Sequence, residues 1–308
     1  MGRSLLWPAL GGVCVALSGC ADGDTGADAV TGMFGETGLG HGEFSYPRAI
    51  AISPDGLVFV VDKTGRIQRF DPEGQWQIQW RMPAFKAGKP TGMVVDKTGR
   101  LFVADTHYNR VMIFDRDGKV IGQFGSRGEG DGQFELPTDV AVDADGFVYV
   151  SEYGGNDRVS KFTPDWRFVT SFGGPGSGPQ ELSRPSALAF DQKGRLWVAD
   201  ACNHRICWFD RSGAFLGAFG TFGEAPGQLK YPYDVGFLHD GTALVCEYGN
   251  NRLQRFDLSG RSLGTWGAAG RKVGQLAYPW GAAVGPDGKV YVVDSGNNRV
   301  QVVRISTG

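Results

Sequence analysis

Four carboxylates fall into two matching sets, and carboxylates brought together can do chemistry. Asp139 stands two residues after Pro137, while Glu152 closes an apolar run and precedes Tyr153. Asp234 stands two residues after Pro232, while Glu247 closes a similar run and precedes Tyr248. If each Asp approaches its own Glu, the pair could share a proton, contact an arginine or ligate a hard cation such as Ca2+. A local duplication of sequence accounts for the same coincidence without any site. Asp139, Glu152, Asp234 and Glu247 are therefore candidate ligands for Ca2+. No other metal or cofactor is implied, and no residue is assigned as catalytic.

A second acid–base pattern recurs too often to be catalytic. An acid ends an apolar run at Asp62, Asp105, Glu152, Asp200, Glu247 and Asp294, and an arginine opens the next at Arg66, Arg110, Arg158, Arg205, Arg252 and Arg299. A reacting group is needed once, whereas a feature present in every unit belongs to how the unit is built. The pairs, among them Asp105–Arg110, Asp200–Arg205 and Asp294–Arg299, are expected to brace a hairpin turn by charge-assisted hydrogen bonds. Asn203, Asn250 and Asn297 would satisfy turn backbone beside them. A ring of cation-binding carboxylates is the competing reading. The four histidines, His41, His107, His204 and His239, fall at scattered positions and do not form a three-ligand zinc set. A nucleophile elbow between a strand and a helix is not expected either, since no helix is.

The elements that carry these residues repeat. Pro47, Pro90, Pro137, Pro185, Pro232 and Pro279 lie 43, 47, 48, 47 and 47 residues apart. After each comes a first apolar run, a Gly turn, a second run ("RLWVAD"), an Arg-initiated third ("RICWFD") and a fourth ending in aromatic-Gly ("FLGAFG"). Period-two alternation and 49 glycines exclude a helical repeat. Four short strands in about 45 residues is the period of a propeller blade. Six units are present, but the sixth ends after its third strand at "RVQVVRISTG". The missing strand stands at the other end, where residues 30–35 ("VTGMFG") match "VIGQFG". The expected fold is all-β: a six-bladed β-propeller of four-stranded blades over residues 30–308, monomeric, its last blade completed by the N-terminal strand. Such closure removes exposed sheet edges.

The repeat words "VADTHYNRVMIFDRDG", "VADACNHRICWFDRSG" and "VVDSGNNRVQVV" resemble NHL repeats, and the resemblance covers nearly all of residues 30–308. It implies a propeller, but NHL propellers include protein-binding and RNA-binding modules, exported sensor domains and a lyase class, so it leaves function open. The amidating lyase of that family uses metal-binding histidines that find no match here. At the N-terminus, Arg3, an apolar stretch over residues 5–17 and "LSGC" resemble the signal and lipobox of bacterial lipoproteins. That resemblance implies a signal peptide over residues 1–19, lipid on Cys20, and a facing of the periplasm or exterior in a bacterial cell envelope. Residues 20–29, small and acidic, read as a flexible tether. Of the remaining cysteines, Cys202 and Cys207 could bridge across a turn in an oxidising compartment, leaving Cys246 free.

Selectivity is expected where units differ. The residue after each proline is Arg48, Thr91, Thr138, Ser186, Tyr233 and Trp280, an asymmetric set at the channel mouth, with Tyr46, Tyr231 and Tyr278 before three of the prolines. Arg48, Asp139, Glu152, Tyr233, Asp234, Glu247 and Trp280 are the expected ligand-binding residues. With 31 basic against 33 acidic residues, the chain lacks the basic footprint of a nucleic-acid binder. The expected partner is a protein, peptide or glycan, and the membrane is contacted through the anchor alone. The competing function is a divalent-cation-dependent lactonase- or lyase-like enzyme.

Overall fold

The computed structural model describes residues 29–306. The expected signal peptide, Cys20 and the tether up to residue 28 lie outside the described residues. Ala29, the last residue assigned to the tether, already opens a strand.

Period-two alternation decides what each strand buries. In the second strand of blade 1, Val58–Asp62, Val58 and Val60 join Tyr291, Val293 and Val300 of blade 6, while Phe59 and Val61 join Leu101, Val103 and Met112 of blade 2. A strand apolar on both faces needs a sheet on each side. Six strands of this kind therefore give six clusters, each between adjacent blades, and a channel at the centre. Large side chains such as Trp197, Tyr149 and Tyr291 vanish into these seams, each contributing roughly 1.5–3 kcal/mol.

Blade 1 comprises Pro47–Ile52, Val58–Asp62, Arg66–Phe70 and Trp76–Arg81 from the channel outward. The innermost strands of blades 2 to 6 are Gly92–Val95, Pro137–Val142, Pro185–Phe190, Pro232–Phe237 and Gly281–Val284. The sixth sheet runs Gly281–Val284, Val290–Asp294, Arg299–Arg304, Ala29–Phe34, so the two ends of the chain meet in one blade. Ala29 stands opposite Arg304 and Phe34 opposite Val300. From that strand Phe34 packs 4.7 Å from the Phe70 ring of blade 1, latching the seam.

All six acid–arginine pairs form, at 2.5–2.9 Å. They also anchor the loops between blades. Arg205 donates to the carbonyls of Gly178 and Glu181 at 2.7 Å, and the free oxygen of Asp200 accepts the Ser183 N–H at 2.7 Å. Arg299 and Asp294 hold Lys272, Gln275 and Ala277 in the same way. Asn203, Asn250 and Asn297 serve this anchoring rather than turn backbone, and each also donates to the acid of its own turn, Asp200, Glu247 or Asp294, at 2.6–3.0 Å. Each bonds a loop carbonyl, of Gly176, Gly223 and Gly270, at 2.8–2.9 Å.

Blade 2 is the exception. The connection before it, residues 82–90, lacks the glycine-rich loop of the others, in which Glu43, Gln133, Glu181, Gln228 or Gln275 bonds a loop amide. Asp105 Oδ1 and Arg110 Nη2 are consequently buried without a partner among the described residues. With no loop amide to support the anion, burial pushes the Asp105 carboxyl up to about 6 despite Arg110. Cys202, Cys207 and Cys246 are all free. The bridge considered between the first two does not form, because Cys207 faces the buried blade interior and Cys202 the exposed turn.

Candidate functional site at the channel mouth

The proline that opens an innermost strand also shapes the site. Pro47 stands opposite Asp62 and Ala49 opposite Val61, so Arg48 is an extra, unpaired residue. The same register shift isolates Thr138, Ser186 and Tyr233. A bulge re-aims its extra side chain, here toward the channel, where Thr91 and Trp280 join from blades 2 and 6.

The residue before the proline is left-handed in five blades: Tyr46, Leu136, Arg184, Tyr231 and Tyr278 have φ between 49° and 55°. That conformation costs about 1–2 kcal/mol for a residue with a Cβ. Each such N–H is captured by a turn of the preceding blade. Asn109, Asp157, His204, Asn251 and Asn298 accept from Leu136, Arg184, Tyr231, Tyr278 and Tyr46 at 2.6–3.1 Å. His204 accepts through Nδ1, so its imidazole is neutral there, and burial lowers its pKa accordingly. Between blades 1 and 2 the clasp is absent, because the blade 1 turn is short and carries Gly65. Instead His107 and Tyr108 hold the backbone at Lys89 and Ala87.

The mouth divides into two arcs. In blades 2, 3 and 4 the hydroxyls bond across seams: Thr91 to the Thr138 carbonyl at 2.9 Å, Thr138 to Pro185 at 2.6 Å, Ser186 to Pro232 at 3.0 Å. In blades 5, 6 and 1 the same positions hold Tyr233, Trp280 and Arg48, which crowd the opening. Tyr233 stacks on Tyr248 at 4.5 Å, Trp280 meets Tyr233 edge-on at 5.1 Å, and Tyr248 lies 5.3 Å from Tyr278. The Arg48 guanidinium sits over the Trp280 ring at 4.7 Å, and Arg184 over Tyr153 at 5.1 Å. Burial lowers the Arg48 pKa and raises that of Tyr233. It also raises that of Tyr46, whose hydroxyl lies 3.5 Å from that of Tyr248.

Beneath the mouth, Asp139 and Asp234 line a cavity of about 110 Å³ together with Arg48, Tyr233 and Trp280. The innermost strand is a sheet edge, and its free amides face the channel. Asp139 accepts the Leu188 N–H at 2.9 Å and Asp234 the Ala282 N–H at 2.8 Å, each reaching the next blade. Both carboxylates hold their protons unusually well. Burial raises Asp139 far above its ordinary value, with the charge of Asp234 adding to it, and burial raises Asp234 to about 7. Asp234 keeps some surface open to the channel, yet the ring packed around it removes it from bulk water.

Glu152 and Glu247 do not join them, which corrects the expected Asp–Glu clusters. Glu152 is taken up by Arg158 at 2.6 Å, the Glu135 N–H at 2.6 Å and Asn156 at 3.0 Å. Glu247 is taken up by Arg252, Lys230 N–H and Asn250. The strand geometry dictates this: Pro137, not Asp139, stands opposite Glu152. The four carboxylates expected for Ca2+ are thus split between two environments. Among the described residues no three His, Cys, Asp or Glu side chains are grouped to hold a metal ion. Arg184, Tyr153 and Tyr248 belong to the mouth although sequence reasoning did not select them. Arg184 shares the pre-proline slot of Tyr46, Tyr231 and Tyr278, and that slot was the available signal.

Family models agree with this architecture. The NHL repeat matches residues 182–209 and 276–303, and a 6-bladed beta-propeller family matches residues 89–157. The chain carries NHL repeats on a six-bladed propeller. Protein brain tumor of Drosophila melanogaster is 32% identical over 96 residues, which is 30% of this chain and 9% of that protein. The chain therefore spans less than a tenth of that relative. Among solved structures, a streptogramin B lyase covers 89% of this chain and 97% of its own, with a TM-score of 0.63 and 15% identity. A gluconolactonase from Xanthomonas campestris covers 86% and 88%, with a TM-score of 0.65 and 16% identity. A catalytically inactive virginiamycin B lyase from Staphylococcus aureus, solved with quinupristin, covers 85% of each chain, with a TM-score of 0.60 and 18% identity. At these identities the likeness is one of fold.

Proposed function

We propose that this protein is a lipid-anchored binding propeller of the bacterial envelope, holding a protein, peptide or glycan ligand on its loop-rich face without chemical conversion. The observation that carries the reading is the aromatic arc of blades 5, 6 and 1. It continues outward into exposed Tyr278, and exposed Tyr231 and Phe222 flank His204 on the neighbouring blade; aromatics at an open rim are typical of recognition surfaces. The lipidated Cys20 and the facing of the periplasm or exterior rest on the lipobox-like "LSGC".

Site-specific photocrosslinking in the native envelope tests it. A photoreactive phenylalanine analogue at position 278 is expected to give a discrete adduct, and one at Val169 on an outer strand none. Equal labelling from both positions would remove the reading.

A second reading, a lactonase- or lyase-like enzyme, draws on Asp139 and Asp234, two cavity carboxylates that burial leaves holding their protons above the ordinary range, Asp234 to about 7. It also draws on the gluconolactonase and lyase of similar fold. It expects turnover of sugar lactones, or another elimination or hydrolysis, that Asp234→Asn abolishes while adduct formation at position 278 persists.

A further inference from the structure

We infer that the channel mouth is a carboxylate-recognition site, with Arg48 as the anion-binding group and the Tyr233–Tyr248–Trp280 cluster receiving the ring that carries the anion. This rests on the binding reading above and names its ligand class.

The starting point is an imbalance. Each of the six blade arginines has an acid, but Arg48 has none. Its side chain makes no ion pair or hydrogen bond among the described residues, and its Nε is buried without a partner. The groups that bear on its charge are Tyr46, Tyr153, Tyr233 and Tyr248, and Lys89 and His107 stand toward the blade 2 side. No carboxylate is among them. Withdrawing a guanidinium from water without an anion is costly. The face-on contact with Trp280 at 4.7 Å and a longer one with Tyr46 at 6.0 Å offset part of that cost. They leave every N–H of the planar fork free to donate.

A fork of parallel N–H groups matches a carboxylate or a phosphate in two-point contact. The surroundings favour the single charge. Among the described residues one further guanidinium reaches the aromatic cluster, that of Arg184, which lies over Tyr153 and Tyr233 rather than over Trp280. Asp139 and Asp234 beneath the mouth oppose a dianion more strongly than a monoanion.

Size sets the rest. The cavity of about 110 Å³ takes a carboxylate and a few attached atoms, so the anion enters as the tip of the ligand. The remainder lies on the rim, where Tyr233 and Tyr248 stack and Tyr278 is exposed. A carboxylate attached to a ring, or held a carbon or two away from one, fits both halves. It could be an acidic sugar or the terminus of a peptide ending in an aromatic residue.

Two matched pairs of probes test this: glucuronate against glucose, and N-acetylphenylalanine against its amide. Binding is followed by ligand-observed NMR and calorimetry. At least one acid is expected to bind about tenfold tighter than its neutral partner, with the preference weakening as salt is raised. Which pair shows it tells the sugar from the peptide source. Arg48→Gln is expected to erase the preference while leaving the melting temperature unchanged or higher, because it removes an unpaired, half-buried cation. Arg48→Lys is expected to keep a reduced preference. Neutral probes binding as well as acids, or no saturable binding of either acid, would overturn the proposal. A fall in melting temperature in both variants with wild-type probe preference absent would mark Arg48 as structural. If adducts still form at position 278 under those outcomes, the binding reading survives and only the carboxylate class is lost.

Discussion

Asp139 on blade 3 and Asp234 on blade 5 face one channel, and after burial itself the charge of Asp234 is what most holds the proton on Asp139. Each caps an amide of the following blade, so each combines two tasks: closing an open strand edge and storing a proton.

That storage gives stability a defined slope. Both groups would ionise near 3.8 in the unfolded chain, but folded Asp234 keeps its proton to about 7 and Asp139 beyond its ordinary range. As pH rises above about 4 the unfolded state releases protons first, so stability falls toward neutrality. Asp234→Asn, which mimics the protonated group, is expected to flatten this fall between pH 5 and 8. Denaturant midpoints across that range check it, and parallel slopes in the two proteins would refute the assignment.

The His204 clasp slopes the other way. Its folded pKa lies below the ordinary 6.5, so the stabilisation is complete above that value and fades as pH drops below it. His204→Asn places there the acceptor used at Asn109, Asn251 and Asn298 and removes the titration. It is expected to match wild type at pH 8 and exceed it at pH 5. His204→Ala, lacking any acceptor, should lose about 1–2 kcal/mol at pH 8.

The six braces should not be equal. Removing the acid of a fully bonded pair leaves a buried arginine and several loop groups unpaired, so Asp200→Asn is expected to cost about 3–5 kcal/mol. Asp105 supports no loop amide and holds only Arg110, and Asp105→Asn should cost roughly half as much or less. Equilibrium unfolding of both variants at pH 7 decides it. Equal losses would mean that the loop contacts contribute nothing.

Ring closure can be probed at a single side chain. Phe34 carries the N-terminal strand into the seam against Phe70 and Phe44. Half-buried, it should lose about 2–3 kcal/mol as Phe34→Ala. A loss under about 0.5 kcal/mol would show that the latch lies elsewhere.

Much of this architecture could be read directly. Six prolines at near-constant spacing, an acid and an arginine at fixed places in every unit, and an unmatched strand at each end point to a closed ring, and the continuous apolar runs of the second strands leave both faces of each sheet apolar. Arg48, Tyr233 and Trp280 were visible as departures from the small hydroxyls at the same position. Glu152 and Glu247 misled because a motif that occurs together with Asp139 and Asp234 need not touch them. The bulge after the proline shifts the register by one residue and hands each Glu to the blade brace. Arg184 and the clasps escaped notice because they join residues 27 apart, or 252 apart for Asn298 and Tyr46, in different blades, through backbone groups that no side-chain pattern reports.

By itself the sequence determined the all-β repeat, the number of blades, the braces and the place where blades differ, since these follow from periodicity and count. The tertiary structure alone decided which unlike residues meet. It brought Asp139 and Asp234 to one cavity and Glu152 to a brace, and left Arg48 over Trp280 with no ion pair. Contacts across a channel depend on how six sheets are angled around it, and that angle is set by the packing of every seam at once rather than by any one stretch of chain.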